Sequence, residues 1–311
     1  MDNVCHTLVG AACGEAGLKR CTRFGAATLM VAANLPDVDV LVFATEVPSV
    51  AFRRGWTHGT LAQALLPIAL TGVLLAADRM WRPRPGAVPF HVGWTLLLGY
   101  VGVLSHVALD LLNPYGLRVL APFDWRWWYG DVLFILDPWL WLIFGAGLWL
   151  GRRRGPVPVW QALALAAVYI LSMTINARVA RAIVLDEWQR TRGGEPTSFM
   201  VGPEPVTPFR RQIIVDNGLG YETGTFQWFP ARITLDPRVV PKNDADARVA
   251  AAREVPNIRG FLVWSRFPFW TFESVPGGTR VTVSDLRFSG RGSPFVQSVI
   301  VAEERKTRDG Q

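Results

Sequence analysis

The chain has 311 residues, and half of them are hydrophobic, including 14 Trp, which excludes a disordered or low-complexity protein. That length suggests about two domains. Asp, Glu, Lys and Arg make up 23 of the first 176 residues but 34 of the last 135. The first part is too apolar for a soluble core, so we predict a membrane-embedded domain over residues 1–177 and an extramembrane domain over 178–311.

The net charge of +7 comes almost entirely from arginine, with 29 Arg against 3 Lys. The arginines are scattered, apart from two clusters at the ends of apolar runs: Arg79, Arg82 and Arg84, and Arg152–Arg154. That placement is typical of the cytoplasmic loops of a membrane protein and does not favour a nucleic-acid partner. The partner that we expect is therefore the lipid bilayer.

Five apolar runs predict an α-helical membrane bundle of about four to five helices, because about 20 apolar residues cross a bilayer. In chain order the runs are Phe24–Ala44, Leu61–Ala77, Phe90–Leu109, Val132–Leu150 and Gly155–Ala177. Pro36 removes a backbone donor and should break the first run. Counting basic residues puts loops 78–89 and 151–156 in the cytoplasm and the C-terminal domain outside it.

Beyond residue 178 the pattern changes to short alternating runs separated by Gly and Pro, typical of a small α+β domain made mostly of antiparallel β-strands. Arg178–Arg192 can continue the preceding helix. For Val240–Glu254, the composition predicts a solvent-exposed helix. The predicted strands are Arg211–Asp216, Tyr221–Phe229, Arg232–Leu235, Phe261–Trp264, Thr279–Ser284 and Phe295–Val301.

Histidine and aspartate are concentrated at the ends of the apolar segments. His106 and Asp110 are four residues apart and share a helix face, with Cβ atoms about 6 Å apart, so one metal ion can bind both. Asp37 and Asp39 follow the break in the first apolar run, and His58 directly precedes the second. Ionisable groups in apolar segments usually mark a functional site.

The predicted topology brings these groups, from three separate segments, to one membrane face. His91 belongs to the opposite end of its segment and is excluded, while Asp131 and Asp137 are weaker candidates. Each group also has a structural alternative, since a membrane histidine is often a packing residue and an aspartate often caps a helix. Arg54 can bind an anionic substrate or simply lie at the interface.

Several short motifs resemble the YdjM-type family of membrane-bound, metal-dependent hydrolases. They are His6-Thr7, Leu35–Asp39, Arg54–His58, Leu104–Asp110 and Asn113–Gly116, and the segment Ser284–Phe288 resembles a frequent extension of that family. The resemblance implies an inner-membrane protein distantly similar to zinc-dependent phospholipase C and P1 nuclease. It also implies one or two divalent metals, zinc first, bound by His6, Asp37, His58, His106 and Asp110. Two departures are Met1, where the soluble enzymes have a metal-binding Trp, and a smaller number of histidines.

The leading hypothesis is therefore a metal-dependent hydrolase at the outer membrane face, acting on a lipid or phosphoester substrate. Asp39 would orient a ligand or act as general base, and Arg54 would hold a phosphate. The main alternative is a non-catalytic transporter or assembly protein with a structural His/Asp cluster. A third possibility is a soluble enzyme with a very apolar helical core.

Overall fold

The structure is a computed structural model that describes residues 1–81, 85–290 and 293–302. Helix α1 (Asn3–Glu15) is capped by Asp2, whose carboxylate accepts hydrogen bonds from the backbone amides of Val4 and Cys5. Helix α2 (Gly25–Ala32) is followed by a 3-10 helix over Leu35–Ala44, bent by 50° from α2. The predicted break is thus present, with Pro36 at the start of the second piece.

The predicted helical bundle is confirmed. After the short α3 (Ser49–Phe52), four longer helices follow: α4 (Thr60–Met80), α5 (Val92–Leu111), α6 (Pro138–Arg154) and α7 (Val157–Arg192). Within the described ranges, α4, α5 and α7 are long and apolar enough to cross a membrane, and the bent pair makes a fourth span if counted as one. Arg82 and Arg84, which were assigned to a cytoplasmic loop, lie outside the described residues.

One predicted span is shorter than expected. The apolar run Val132–Leu150 starts to form a helix only at Pro138, because Asp137 caps α6 by accepting from the amides of Trp139 and Leu140. The residues before Asp137 form no regular element. At 17 residues, α6 is not among the helices long enough to span.

The C-terminal part contains two antiparallel sheets, as predicted. The first has strands β1 to β5 in the order β1-β2-β3-β4, with β5 also paired to β3, and the second has the order β6-β7-β8. The first-sheet strands are Ser198–Pro203, Arg210–Asp216, Gly220–Gln227, Arg232–Leu235 and Val240–Pro241. The second sheet consists of Pro268–Val275, Gly278–Asp285 and Val296–Val301.

Two local predictions in this part are wrong. Phe261–Trp264 is not a strand but the last turn of α9 (Pro256–Trp264), which Pro256 starts and whose Phe261 and Trp264 are buried. A short apolar run does not distinguish a buried strand from a buried helix turn. The predicted helix Val240–Glu254 is reduced to α8 (Ala247–Arg253), because its first residues pair with β3.

Helix α7 connects the bundle to the sheets and continues through residue 177 to Arg192. Buried Arg211 of β2 joins them further, donating to Asn176 Oδ1 at 2.6 Å and to the Asp131 carbonyl at 2.8 Å. The division into two domains at residue 177 stays a prediction, since α7 belongs to both parts. The second half of α7 packs on the first sheet, and Trp264 of α9 donates a hydrogen bond to the turn that follows α5.

Candidate metal centre

Four buried side chains from three parts of the bundle converge at the end of α5. His106 and Asp110 lie on its last two turns, His58 lies in the loop before α4, and Asp37 lies in the 3-10 helix. One ligand atom from each residue lies within 4.8 Å of the other three. The sequence analysis predicted that these residues lie at one membrane face, and the fold brings the four of them into one group.

The distances define a small polar centre. The Nε2 atoms of His58 and His106 are 3.1 Å apart. Asp110 Oδ2 lies 3.5 Å from the first nitrogen and 3.6 Å from the second, and Asp37 Oδ1 lies at 3.7 and 3.9 Å. Two imidazole nitrogens and two carboxylate oxygens form a donor set that suits Zn²⁺ or a similar divalent ion.

Hydrogen bonds on the far side of each ring orient both imidazoles. His106 Nδ1 lies 2.7 Å from the carbonyl oxygen of Ala33, which can only accept, so Nδ1 carries the hydrogen. His58 Nδ1 lies 3.1 Å from the Thr57 hydroxyl, which itself donates to Asp39 Oδ2 at 3.2 Å. With both Nδ1 atoms bonded on the far side, each ring directs its Nε2 toward the centre, where the two nitrogens can bind one cation.

Two of the carboxylate oxygens accept no hydrogen bond from the described residues. They are Asp37 Oδ1 and Asp110 Oδ2, and both are buried. Asp110 Oδ2 lies 3.0 Å from Arg54 Nη2, an ion pair without the alignment of a hydrogen bond. Leaving such an oxygen without a partner costs about 1–3 kcal/mol or more, and a bound cation would remove that cost. The residues present thus fit a divalent metal.

His6 lies beside this group of four. Its ring stacks on His106 with centroids 3.8 Å apart, and its Nε2 is 3.4 Å from Asp110 Oδ1. Neither ring nitrogen has a hydrogen-bond partner in the part of the chain that the structure describes. Burial lowers the pKa of His6, which keeps the ring in the neutral form that binds metals. His6 is therefore placed to extend the site.

Asp39 faces the loop behind the centre. Its Oδ2 accepts from the Arg54 amide at 2.7 Å and from the Thr57 hydroxyl, and its Oδ1 accepts from Arg53 Nε at 3.3 Å. Both oxygens are thus engaged in holding the loop that carries His58. This geometry suits an orienting role better than that of a general base.

Arg54 points inward, and only 4% of it is exposed. Besides facing Asp110, it donates to Asn113 Oδ1 at 3.0 Å and lies over the Tyr115 ring at 4.6 Å. Its backbone has a φ of 55°, a left-handed conformation that turns the side chain into the bundle. The guanidinium neutralises part of the negative charge of the two carboxylates.

Three further groups in the site were not predicted. Arg53 Nη2 lies 3.6 Å from Asp37 Oδ1, and its side chain is 23% exposed. Burial lowers the pKa of Arg53, but the charges of Asp39 and Asp37, the hydrogen bond to Asp39 and a contribution from Tyr115 together raise it overall. Asn113 supports Arg54, and the Met1 amino group contacts Asp110 Oδ1. The Arg53-Arg54 pair was visible in the sequence, but loop spacing does not tell which side chain points inward.

The weaker candidates do not join the centre. Asp137 Oδ1 caps α6, while its Oδ2 accepts from the Tyr169 hydroxyl at 2.9 Å. Asp131 pairs with Arg266 at 2.9 Å. His91 lies exposed at the opposite end of α5, in agreement with its exclusion.

The fold and site define a membrane protein with a buried His/Asp cluster that can hold a metal ion. The family model of the YdjM inner membrane protein matches residues 1–179, a range that includes the bundle through α6 and every predicted site residue. The chain belongs to the YdjM inner membrane protein family. It is also 23% identical over 285 residues to the uncharacterized protein YfhP of Bacillus subtilis (strain 168), covering 90% of this chain and 82% of that protein. No solved structure matches the chain significantly.

Proposed function

We propose that this protein is a metal-dependent hydrolase of the bacterial inner membrane that cleaves an ester or phosphoester bond, with a lipid or other phosphoester as substrate. The observation that carries the proposal is the convergence in one buried space of two imidazole Nε2 atoms and two carboxylate oxygens that accept no hydrogen bond from the described residues. Such an arrangement is costly unless a cation occupies it.

Asp37, His58, His106 and Asp110 would hold the metal, and the neighbouring His6 extends the donor set toward a second ion. Zinc is favoured because the set mixes imidazole and carboxylate ligands. A bound divalent ion supplies Lewis-acid activation of water and of the scissile group. The proposal includes a distant similarity of this protein to zinc-dependent phospholipase C and P1 nuclease.

The protein's own side chains orient the ligands and bind the substrate. The Ala33 carbonyl fixes His106, and the Thr57–Asp39 pair fixes His58. Arg54 is engaged with Asp110 and Asn113, so we assign the contact with an anionic substrate group to the partly exposed Arg53. Arg54 then acts by holding Asp110 in place.

The turn that follows α5, beside the centre, contacts the C-terminal part through Trp264 and Arg287. Arg152–Arg154 end α6 at the other side. Because basic loops favour the cytoplasm, we propose that the centre and the C-terminal part face away from it.

One observation favours the alternative of a transporter, namely the 50° bend between α2 and the 3-10 helix that carries Asp37. Transport sites usually lie near the middle of the membrane, whereas this cluster occupies the last turns of α5. The position at one end favours hydrolysis.

The test is metal analysis of detergent-purified protein, followed by a hydrolysis screen with phosphodiesters and phospholipids. We expect one or two zinc ions per chain, lost in His58→Ala and His106→Ala but retained in His91→Ala, the matched control on α5. Absence of stoichiometric metal, or unchanged metal in His106→Ala, would refute the proposal. Bound metal without hydrolysis would favour the alternative.

A further inference from the structure

A second polar feature lies away from the His/Asp cluster. A cavity of about 470 Å³ is enclosed by the end of α5, the loop 128–132, α7 and β1. Its charged lining consists of Arg178, Arg181, Arg266 and Asp131. The rest of the wall is mainly apolar or aromatic and includes Trp128.

The surrounding sequence puts this cavity at the boundary between hydrocarbon and water. Residues 155–177 of the chain carry no charge, and Arg178 is the first charged residue beyond them. Arg178 and Arg181 are one turn apart and exposed. Trp128 is 41% exposed, and such aromatic side chains are typical of the headgroup level of a bilayer.

The positive charges in the cavity exceed what the protein neutralises. Arg266 pairs with Asp131 Oδ2 at 2.9 Å and donates to the Phe199 carbonyl at 3.0 Å. Arg181 donates to the same carbonyl at 3.4 Å, so two guanidinium groups converge on one backbone oxygen, and only Arg266 is paired with a carboxylate. Arg178 forms no ion pair with any described residue. Three arginines and one aspartate give the cavity a net positive charge, which a bound anion can neutralise.

We propose that this cavity binds the headgroup of an anionic membrane phospholipid. The arginines bind the phosphate diester, and the apolar wall contacts the start of the acyl chains. The inference goes beyond the proposed function, since it requires neither hydrolysis nor a metal at the His/Asp cluster.

The test compares Arg178→Gln/Arg181→Gln with Arg190→Gln/Arg192→Gln, an equal loss of charge on the same helix outside this cavity. Binding of dioctanoyl phosphatidylglycerol to the detergent-solubilised full chain is measured by native mass spectrometry. We expect the first variant to bind about tenfold more weakly or worse, because it loses charge-assisted hydrogen bonds, and the control to bind like the wild type.

Competition experiments identify the source of the phosphate. If the site takes a lipid, excess inorganic phosphate leaves binding unchanged, and neutral dioctanoylglycerol does not bind. Equal lipid binding by both double variants, full displacement by inorganic phosphate, or equal binding of the neutral lipid would each overturn the proposal. We also measure the metal content of the two double variants and the lipid binding of His106→Ala. These measurements distinguish a failure of the lipid-site proposal from a failure of the metal-centre proposal.

Discussion

The two central imidazoles are oriented by different kinds of partner, a backbone carbonyl for His106 and a hydroxyl–carboxylate pair for His58. Groups that orient metal-binding histidines strongly affect metal affinity. The residue types and spacing predicted the candidate ligands, but they did not indicate which ring nitrogen faces the centre.

Replacing Asp39 by alanine should weaken metal binding about 10- to 100-fold, because the Thr57 hydroxyl and the loop carrying His58 lose their acceptor. Competition with a chelator measures this affinity. Asp124→Ala, which removes a surface carboxylate paired with Arg126, should leave it unchanged. Equal affinities for both variants would show that Asp39 does not position the site.

Arg53 and Arg54 should have separable roles. Arg53→Gln is expected to raise KM for a phosphoester about tenfold without altering metal content, because Arg53 lies at the partly exposed edge. Steady-state kinetics and metal analysis together check this, with Arg126→Gln as a surface control. An unchanged KM would exclude Arg53 from substrate binding.

At the scale of elements, hydrophobic runs predicted the helices well, because a membrane span requires a long apolar stretch. Pro36 and Asp137 also gave local signals for a break and a helix start. The prediction of a strand over Phe261–Trp264 was wrong, because a short apolar run occurs both in buried strands and in buried helices.

The packing of α5 on α2 was not predictable from spacing. A Cβ at Gly102 would lie 2.9 Å from the Ala33 nitrogen, so glycine permits the close approach that brings His106 to the Ala33 carbonyl. Convergence of Asp37, His58 and Asp110 with His106 likewise depends on tertiary contacts that no single segment encodes.

Gly102→Val should therefore push α5 away from α2, lowering the free energy of unfolding by about 1–3 kcal/mol and weakening metal binding. Gly93→Ala is the control, since a Cβ at Gly93 on the same helix meets nothing within 4 Å. Thermal unfolding in detergent and metal analysis provide the measurements. A Gly102 variant with wild-type stability and metal content would contradict this account of the packing.

On the scale of the whole molecule, the C-terminal part holds the turn that follows α5. Buried Arg287 pairs with Asp285 at 2.9 Å and donates to the Pro114 carbonyl at 2.8 Å, next to Asn113 of the site. Trp264 adds a hydrogen bond to the Tyr115 carbonyl at 3.1 Å. The sequence resemblance included Ser284–Phe288 but gave no indication that this segment contacts the turn beside the centre.

This ion pair predicts a pH dependence of stability. Burial would raise the pKa of Asp285, but the Arg287 charge and several hydrogen bonds lower it to about 2. Because this pKa is lower than the value near 3.8 expected in the unfolded chain, ionised Asp285 stabilises the folded state by about 2 kcal/mol at pH values above 3.8. The stabilisation is lost as the pH falls toward 2.

Asp285→Asn should reduce the dependence of the unfolding free energy on pH between pH 2 and 5. It should also destabilise the protein at neutral pH by leaving Arg287 without its carboxylate partner. Thermal unfolding between pH 2 and 5 tests this, with exposed Glu273→Gln as the control. Identical profiles for wild type and Asp285→Asn would rule out the assigned role.

The most direct test of the metal centre is X-ray absorption at the zinc edge of the zinc-loaded, purified protein. We predict only nitrogen and oxygen ligands at about 2.0–2.2 Å, with outer-shell scattering from at least two imidazoles, and loss of this protein-bound zinc signal in His58→Ala/His106→Ala. Sulfur ligation at about 2.3 Å, or an unchanged spectrum in that variant, would contradict the assignment.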